Sequence, residues 1–255
     1  MADADVNAWR ETTPVLSPPA FDTDYVQWKS WGDAEFGQYS PLDSTYYAAE
    51  FRVSSFVNAR ALEIGFGNGS ALAWLRDSGV DTYGVEANPM LVDRAKHLLG
   101  GEKAFSGLED PALSSLSGTF THVIGLDVLE HVPMSSLPGM LCRVRTLLAP
   151  GGVAIFRFPN GDSPFGRLYQ HGDPTHVTTL GSERIAYFAR CARLEVSSIG
   201  SPALPLHGVG PIRALRRALV RGMRQVIDHM VGQIYFGGRR ISLDPNSVAV
   251  LVRPV

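Results

Sequence analysis

Gly65, Gly67 and Gly69 alternate with other residues directly after an apolar run, in the segment ALEIGFGNGS. Because glycine has no Cβ atom, the backbone at these positions can turn tightly and approach a ligand closely. Glu63 lies just before the first of these glycines, and Glu86 follows the next apolar run, DTYGV. A carboxylate after the second strand can accept hydrogen bonds from both hydroxyls of a ribose. The pattern therefore predicts a site for an adenosine-type ligand.

The spacing of the glycines narrows the choice of ligand. The dinucleotide fingerprint G-x-G-x-x-G has its third glycine one position later, where this chain has Ser70. The G-K-[ST] sequence of a phosphate-binding loop does not occur either. A carboxylate at Glu63 repels phosphate but suits a ligand with an ammonium and a sulfonium group. S-adenosylmethionine has both groups, so we expect it to be the cofactor.

Two segments carry histidines that can take a proton from a hydroxyl group. His131 lies in DVLEHVP, and the long polar segment NGDSPFGRLYQHGDPTHVTTL contains His171, Asp173 and His176. We expect His176 to be the general base, with Asp173 holding its ring. His131 is the next candidate, and its alternative role is to brace the loop over the cofactor. For His176 the alternative is a structural hydrogen bond or a helix cap.

A metal site is a further alternative for these side chains. His131, Asp173 and His176 together offer two nitrogen ligands and one oxygen ligand. Two histidines are poor ligands for a hard cation such as magnesium. We therefore predict no metal site.

The segments between these motifs alternate between two patterns. Apolar runs predict strands at RALEIG, DTYGVEA, EKAFSG, FTHVIGLDV, GVAIFRFPN, ARLEVSSIG and SVAVLVRPV. Helices are predicted between most of them, and this alternation is typical of βαβ units in a doubly wound, mainly parallel α/β sheet. In such a sheet the ligand lies at the carboxyl ends of the strands, where the glycines and histidines are predicted.

Two of the predicted helices lie beside these motifs, and they are predicted from different signals. One begins at Pro89 with Asn88 as its N-cap and ends at Gly100. The other follows from apolar positions at helical spacing over residues 44–58.

Composition and charge exclude several classes of protein. The 255 residues include 25 acidic and 23 basic side chains, which gives a formal net charge of −2. This charge does not favour binding to nucleic acid. Cys142 and Cys191 are far apart, so a disulfide framework is not expected and a reducing compartment fits best. The start MADADVNAWR does not resemble a secretion signal, and no apolar stretch approaches the roughly 20 residues that span a bilayer. We expect a cytoplasmic protein.

Four ordered segments carry a family resemblance: LEIGFGNGS, GVEANPMLVDRAK, LDVLEHV and LLAPGGVAIFRFPN. They resemble the signature motifs of class I S-adenosylmethionine-dependent methyltransferases, over about residues 59–200. SVAVLVRPV resembles the final antiparallel strand of that family. The resemblance implies a doubly wound α/β fold with a seven-stranded, mainly parallel sheet whose last strand is antiparallel.

The resemblance also implies which residues contact the cofactor. They are Glu63, Gly65, Gly67, Gly69, Glu86, Ala87, Asn88 and Asp127. Glu63 and the three glycines match positions that contact the methionine portion of the cofactor. Glu86 matches the acid that binds the ribose, and Ala87 and Asn88 match positions beside the adenine. Asp127 matches a residue near the amino and methyl groups. The acid that often binds the adenine amino group in this family is replaced by Ser106, Gly107 and Leu108.

Two shorter segments indicate the methyl acceptor. WKSWGDAEFGQYS and SPFGRLYQHGDPTH resemble methyltransferases of bacterial O-antigen and capsule biosynthesis. This implies a sugar hydroxyl on a surface polysaccharide, or on its lipid-linked precursor, with the aromatic segment helping to close the site. The alternatives are a methyltransferase for a quinone or another hydroxylated metabolite, which also has LDVLEHV, and a non-catalytic protein that binds the cofactor.

Residues 201–246 are longer than the usual link between the last two strands of this fold. Apolar side chains recur there at helical spacing: Ile212, Leu215, Leu219, Met223, Val226 and Met230. Four arginines fall on the other side: Arg213, Arg217, Arg221 and Arg224. The favoured interpretation is a helix packed on the domain with a solvated basic face. A basic face for an anionic glycan or membrane, and a dimer contact, are the alternatives.

These observations predict four regions. Residues 1–58 form an N-terminal arm with an aromatic and helical cap, and residues 59–200 form the S-adenosylmethionine-binding core. Residues 201–246 form a basic helical insertion, and residues 247–255 form the final core strand.

Overall fold

The computed structural model describes residues 23–32, 35–51 and 58–255. Most of the predicted N-terminal arm lies outside these ranges. A seven-stranded sheet forms the centre of the molecule, with the strand order β3-β2-β1-β4-β5-β7-β6. In chain order the strands are β1 (Arg60–Ile64), β2 (Asp81–Val85), β3 (Ala104–Phe105), β4 (Phe120–Leu126), β5 (Leu148–Pro159), β6 (Glu195–Gly200) and β7 (Asn246–Val252).

The direction of the strands confirms the predicted fold. β7 is antiparallel to both of its neighbours, β5 and β6, whereas the other neighbouring strands are parallel. From β1 the chain proceeds outward to β2 and β3, and from β4 it proceeds outward on the other side. The strand order therefore reverses between β1 and β4, and the loops after these two strands meet at the crevice where α/β sheets bind ligands.

Helices connect the strands. They are α1 (Thr23–Trp28), α2 (Pro41–Glu50), α3 (Ser70–Asp77), α4 (Pro89–Leu99), α5 (Pro111–Ser114), α6 (Leu137–Leu147), α7 (Arg167–Gly172), α8 (Ser182–Cys191) and α9 (Pro211–Tyr235). Two short 3-10 turns cover Leu129–His131 and Pro164–Gly166. Within the described ranges, no helix is both long and apolar enough to cross a membrane.

Local capping signals determine where the helices begin and end. The Asn88 side chain accepts hydrogen bonds from two backbone N–H groups of α4, and Gly100 ends the helix in a left-handed conformation, as predicted. The helix predicted over 44–58 begins earlier than expected, and residues 52–57 of that prediction lie outside the described ranges. α2 begins at Pro41, because Ser40 and Asp43 form a capping box there, and it ends at Glu50.

The two strands at the topological switch are buried along most of their length. Leu62 of β1 and Val123 and Ile124 of β4 have no exposed surface, and helices cover both faces of the sheet. Burial of these apolar side chains stabilises the strands. The loops that follow them are consequently attached to a rigid base.

α9 contradicts the favoured interpretation of the 201–246 segment. Its apolar stripe faces solvent instead of packing on the domain: Ile212 is 85% exposed and Met223 is 65% exposed. The polar side holds the helix to the segments that flank it, since Arg217 donates to the carbonyl of Pro205 and Arg224 pairs with Asp244. Helical spacing predicts that an apolar face exists, but the direction in which that face points depends on these partners outside the helix.

Candidate cofactor and acceptor site

The glycine loop joins β1 to α3 at the switch point. Gly65, Gly67 and Gly69 all have positive φ, at 66°, 49° and 72°, a region that L side chains rarely adopt. The Trp31 ring lies directly on the loop, and a Cβ atom at Gly67 would be 2.7 Å from it. Similarly, the Phe36 ring packs where Gly69 lacks a side chain. The aromatic N-terminal segment therefore covers the glycine loop.

Glu86 connects this loop to the loop after β2. One carboxylate oxygen accepts from the Gly67 N–H at 3.1 Å, and the other accepts from Ala87 at 2.8 Å and Asn88 at 3.2 Å. Burial raises the pKa of Glu86, although the three backbone hydrogen bonds oppose this shift. The carboxylate is thus held by the backbone at the edge of a cavity.

That cavity has a volume of about 290 Å³ and lies over the loops after β1, β2 and β3. Leu91, Leu108 and Met140 give it apolar walls, and Ser106 contributes a hydroxyl. Apolar walls with a few polar groups suit a nucleoside. No acidic side chain from the loop after β3 lines the cavity within the described part of the chain, which agrees with the departure noted in the sequence.

A second cavity, of about 600 Å³, adjoins the first. Tyr25, Trp31, Gly65, Asp127 and His131 line both. The larger cavity is lined on one side by the glycine loop and on the other by α7 and the segment after it. A ligand that occupies the smaller cavity can therefore extend past Gly65 into the larger cavity.

Glu63 lies in β1 beneath the glycine loop and lines the larger cavity. It is 3% exposed, and its Oε2 atom has no hydrogen-bond partner among the residues that the structure describes. Burial, with a contribution from the nearby Glu86, raises the pKa of Glu63 to about 8. A positively charged group in the cavity would satisfy this oxygen, so the residues present fit the ammonium and sulfonium groups of S-adenosylmethionine.

Asp127 ends β4 and also lines both cavities. Its φ of 56° is unusual for a residue other than glycine. Both of its oxygens pair with the Arg157 guanidinium, which also donates to the Tyr46 hydroxyl at 3.0 Å. Strained backbone that is held by its surroundings is common at ligand sites.

The structure brings His131 and His176 together, 45 positions apart in the chain. Their ring centroids are 4.6 Å apart. The contact follows from the backbone, because the carbonyl of Glu130 accepts hydrogen bonds from the N–H groups of Val177 and Thr178. The loop after β4 and the segment after α7 are thereby fastened to each other.

The hydrogen bonds around Thr175 define the state of His131. The Thr175 hydroxyl donates to Asp173 at 2.5 Å, so its oxygen accepts from Nδ1–H of His131 at 2.9 Å. The Nε2 atom of His131 then carries no proton in the neutral ring. Burial and the neighbouring His176 lower the pKa of His131 to about 4, so the ring is neutral at physiological pH.

The Asp173 side chain is ionised and accepts hydrogen bonds from its neighbours. Burial opposes ionisation, but hydrogen bonds from Lys29 and Thr175 outweigh it and hold the pKa of Asp173 at about 2. Lys29 Nζ lies 2.8 Å from the carboxylate. His176 Nε2 is 3.8 Å from the same carboxylate oxygen, which is longer than a hydrogen bond. The predicted contact by which Asp173 holds the ring of His176 is therefore not made in this arrangement.

Glu130 was not predicted as a site residue. It is 1% exposed, and neither carboxylate oxygen has a hydrogen-bond partner in the described ranges. Burial, with a contribution from Asp127, raises its pKa well above the ordinary value. Its Oε1 atom lies 3.9 Å from Nε2 of His176. In the sequence, Glu130 is marked only by its position directly before His131. Its burial depends on the tertiary fold, so the sequence could not indicate it.

The candidate metal ligands differ from those weighed in the sequence. Asp173 is paired with Lys29, and Glu130 takes its place beside the two histidines. The donor atoms of Glu130, His131 and His176 all lie within 4.8 Å of one another, a set that could hold a metal ion. Imidazole donors suit a transition metal better than magnesium.

The predicted cofactor and catalytic residues thus gather at one end of the sheet. Glu63, Asp173 and His176 line the larger cavity, and Glu86, Ala87 and Asn88 line the smaller. Gly69 lines neither of them and instead packs against Phe36. His171 is not among the lining residues of either cavity.

This fold and site define the class of the protein: an S-adenosylmethionine-dependent methyltransferase with a Rossmann-like sheet. Residues 35–193, more than half of the chain, match a family described as a methyltransferase domain. The chain belongs to this methyltransferase domain family. A search of curated protein sequences found no match.

Solved structures share the fold at low sequence identity. A SAM-dependent methyltransferase from Archaeoglobus fulgidus aligns with a TM-score of 0.59 and 16% identity, over 86% of this chain and 96% of its own. A geranyl diphosphate methyltransferase, solved with GPP and sinefungin, aligns with a TM-score of 0.53 and 11% identity, over 83% and 78%. The [4+2]-cyclase SpnF aligns with a TM-score of 0.53 and 16% identity, over 86% and 84%. Since one of these proteins is named as a cyclase, the fold alone does not define the reaction or the substrate.

Proposed function

We propose that this protein transfers the methyl group of S-adenosylmethionine to a hydroxyl group of a sugar on a bacterial surface polysaccharide or its lipid-linked precursor. One observation carries the proposal: two half-buried histidines and a paired aspartate line the same cavity as Glu63 and the glycine loop. A hydroxyl acceptor needs a group that removes its proton, and such a group is present beside the predicted position of the methyl donor.

The smaller cavity suits the adenosine portion of the cofactor. Glu86 would accept from the ribose hydroxyls, while the apolar walls and Ser106 would surround the adenine. Glu63 and the glycine loop would hold the methionine portion, with Asp127 near its amino group. When bound, S-adenosylmethionine supplies an electrophilic methyl group, and the main contribution of the protein is alignment of the acceptor.

His176 is the proposed general base. Burial lowers its pKa below the ordinary value of 6.5, so the ring is neutral and can accept a proton at physiological pH. The ionised carboxylate of Asp173, 3.8 Å from Nε2, would stabilise the imidazolium that forms. His131 is neutral and packs edge-on against this ring, so its proposed role is to position His176.

Aromatic side chains support a sugar as the acceptor. Tyr25, Trp28 and Trp31 line the larger cavity, and their faces can stack on a sugar ring. Lys29 lies 4.7 Å from the centroid of the Trp28 ring, and its ammonium group can donate to a sugar oxygen beside this wall. A flat hydroxylated metabolite such as a hydroquinone would also stack there, and it is the second candidate.

A panel of acceptors tests the proposal. Purified enzyme is incubated with labelled S-adenosylmethionine and with nucleotide-linked sugars, polyprenyl-linked sugars, hydroquinones and catechols. Methylation of a sugar, with mass spectrometry placing the methyl group on oxygen, is the expected result. Methylation of hydroquinones alone would establish the second candidate. Binding of the cofactor without transfer to any acceptor would favour a non-catalytic protein.

A further inference from the structure

α9 presents a continuous apolar surface to solvent, which we call the outer face of α9. Its members recur every three or four residues, so they lie on one side of the helix. They are Ile212, Leu215, Leu219, Met223, Val226, Ile227, Met230 and Ile234, and their exposed fractions range from 49% to 85%. A helix of 25 residues is about 37 Å long. Monomeric proteins rarely leave a contiguous apolar patch of this extent in water.

The outer face points away from the domain, and polar contacts on the opposite side hold α9 to the segments that flank it. Arg217 donates to the carbonyl of Pro205 at 2.7 Å, and Arg224 pairs with Asp244. The Asp228 carboxylate accepts from the N–H of Leu243 at 3.1 Å. At the end of the helix the carbonyl of Gly232 accepts from Gly238. An ordinary surface helix places its apolar side on the core, so this arrangement is inverted.

The charge of α9 selects the partner. The helix has five arginines and one acidic residue, Asp228, in a chain whose formal net charge is −2. Asp228 faces the domain, and Arg213 and Arg216 are exposed beside the outer face. A further exposed arginine, Arg240, follows the helix. A second copy of α9 would bring no acidic side chain to pair with the exposed arginines, whereas lipid phosphates would.

We propose that the outer face of α9 binds to the surface of an anionic lipid bilayer. The apolar side chains would enter the boundary between headgroups and acyl chains, and the flanking arginines would contact lipid phosphates. The helix would lie in the plane of the membrane. This proposal does not depend on which acceptor is methylated.

A cavity beneath α9 brings this surface near the candidate site. It has a volume of about 510 Å³ and is lined by Glu50, Arg221, Arg224 and Asp228, with Asn246 at one edge. Asn246 also lines the larger cavity of the site.

Vesicle flotation with the full-length protein tests the proposal. We expect binding to vesicles of phosphatidylcholine mixed with phosphatidylglycerol, weaker binding at high salt, and little binding to phosphatidylcholine alone. The triple variant Leu219→Glu, Met223→Glu and Val226→Glu should lower vesicle affinity about tenfold or more. Arg213→Gln and Arg216→Gln should lower it about fivefold for each arginine at low salt.

A matched control replaces an exposed apolar residue elsewhere. Tyr187 of α8 is 57% exposed, and Tyr187→Glu should leave vesicle binding unchanged. Unaltered cofactor affinity and melting temperature would show that the α9 variants remain folded. Absence of vesicle binding, or equal binding by the triple variant, would overturn the proposal. A wild-type dimer in light scattering that binds no vesicles, and that the triple variant loses, would assign the outer face to a second copy of this chain.

Discussion

The two sides of the larger cavity differ in how far apart in the sequence their contacting residues lie. On the glycine-loop side, Glu86 binds backbone N–H groups at most 19 positions away. On the histidine side, His131 contacts Thr175 from 44 positions away, and Tyr25 donates to Asp173 across 148 positions. The first side is built from backbone groups of adjacent loops, whereas the second needs side chains from three distant segments. Changes on the glycine-loop side should therefore alter cofactor affinity, and changes on the histidine side should alter turnover.

The largest expected effect is on the histidine side. His176→Ala should lower turnover by about 100-fold to 10,000-fold, the usual range for loss of a general base. Cofactor affinity measured by calorimetry should barely change, because the ring lies on the acceptor side. The wild-type rate should fall as the pH drops through the lowered pKa of His176, since the protonated ring cannot accept a proton. The variant should lack this dependence.

His131→Ala is the control for this prediction, because its ring lines both cavities. It should affect cofactor affinity as well as rate. Near-normal turnover of His176→Ala would transfer the role of base to another group. Loss of cofactor binding in His176→Ala would mean that the two sides of the cavity are not separable in this way.

A smaller effect is expected on the glycine-loop side. Glu86→Ala should weaken S-adenosylmethionine binding by roughly 1–3 kcal/mol, because buried polar partners lose their acceptor. The rate with saturating cofactor should change much less. A folded Glu86→Ala variant with unchanged affinity would contradict the assignment of this residue to the ribose.

The pH dependence of cofactor binding tests the role of the glycine-loop side of the cavity. The pKa of Glu63 is about 8 without ligand, so the side chain is protonated at pH 7. A cationic ligand binds the ionised form, and binding must therefore release a proton below pH 8. Affinity should rise about fivefold from pH 7 to pH 8 if the bound carboxyl is fully ionised. Glu63→Gln should show no such dependence in calorimetry, and neither variant nor wild type should show it above pH 9.

The smallest expected effect is that of metal removal. Proton transfer to His176 needs no ion, so prolonged treatment with a chelator should leave the rate within about twofold of the untreated enzyme. Metal analysis of the purified protein provides the control. A rate that is lost with the chelator and restored by zinc or manganese would make Glu130, His131 and His176 a metal centre. His176 would then be a ligand and could not act as the base.

Some features could be predicted because their cause lies within a few residues. Asn88 and Gly100 bound α4 through bonds inside that helix. Gly67 marks a turn because most other residues adopt its backbone conformation only with strain. The start of α2 was missed because the prediction followed the periodic apolar residues and not the capping box at Ser40. Glu130 was missed because its burial depends on contacts with residues more than 40 positions away.

The sequence by itself determined the doubly wound sheet, the glycine loop and the acidic residues beside it. These features depend on the spacing of apolar residues, on glycine's backbone freedom and on short-range hydrogen bonds, all of which are local. Only the tertiary structure decided that Glu130 joins the histidines and that α9 turns its apolar face to solvent. Both outcomes depend on which distant groups provide partners for buried or charged side chains, and periodicity contains no information about those partners.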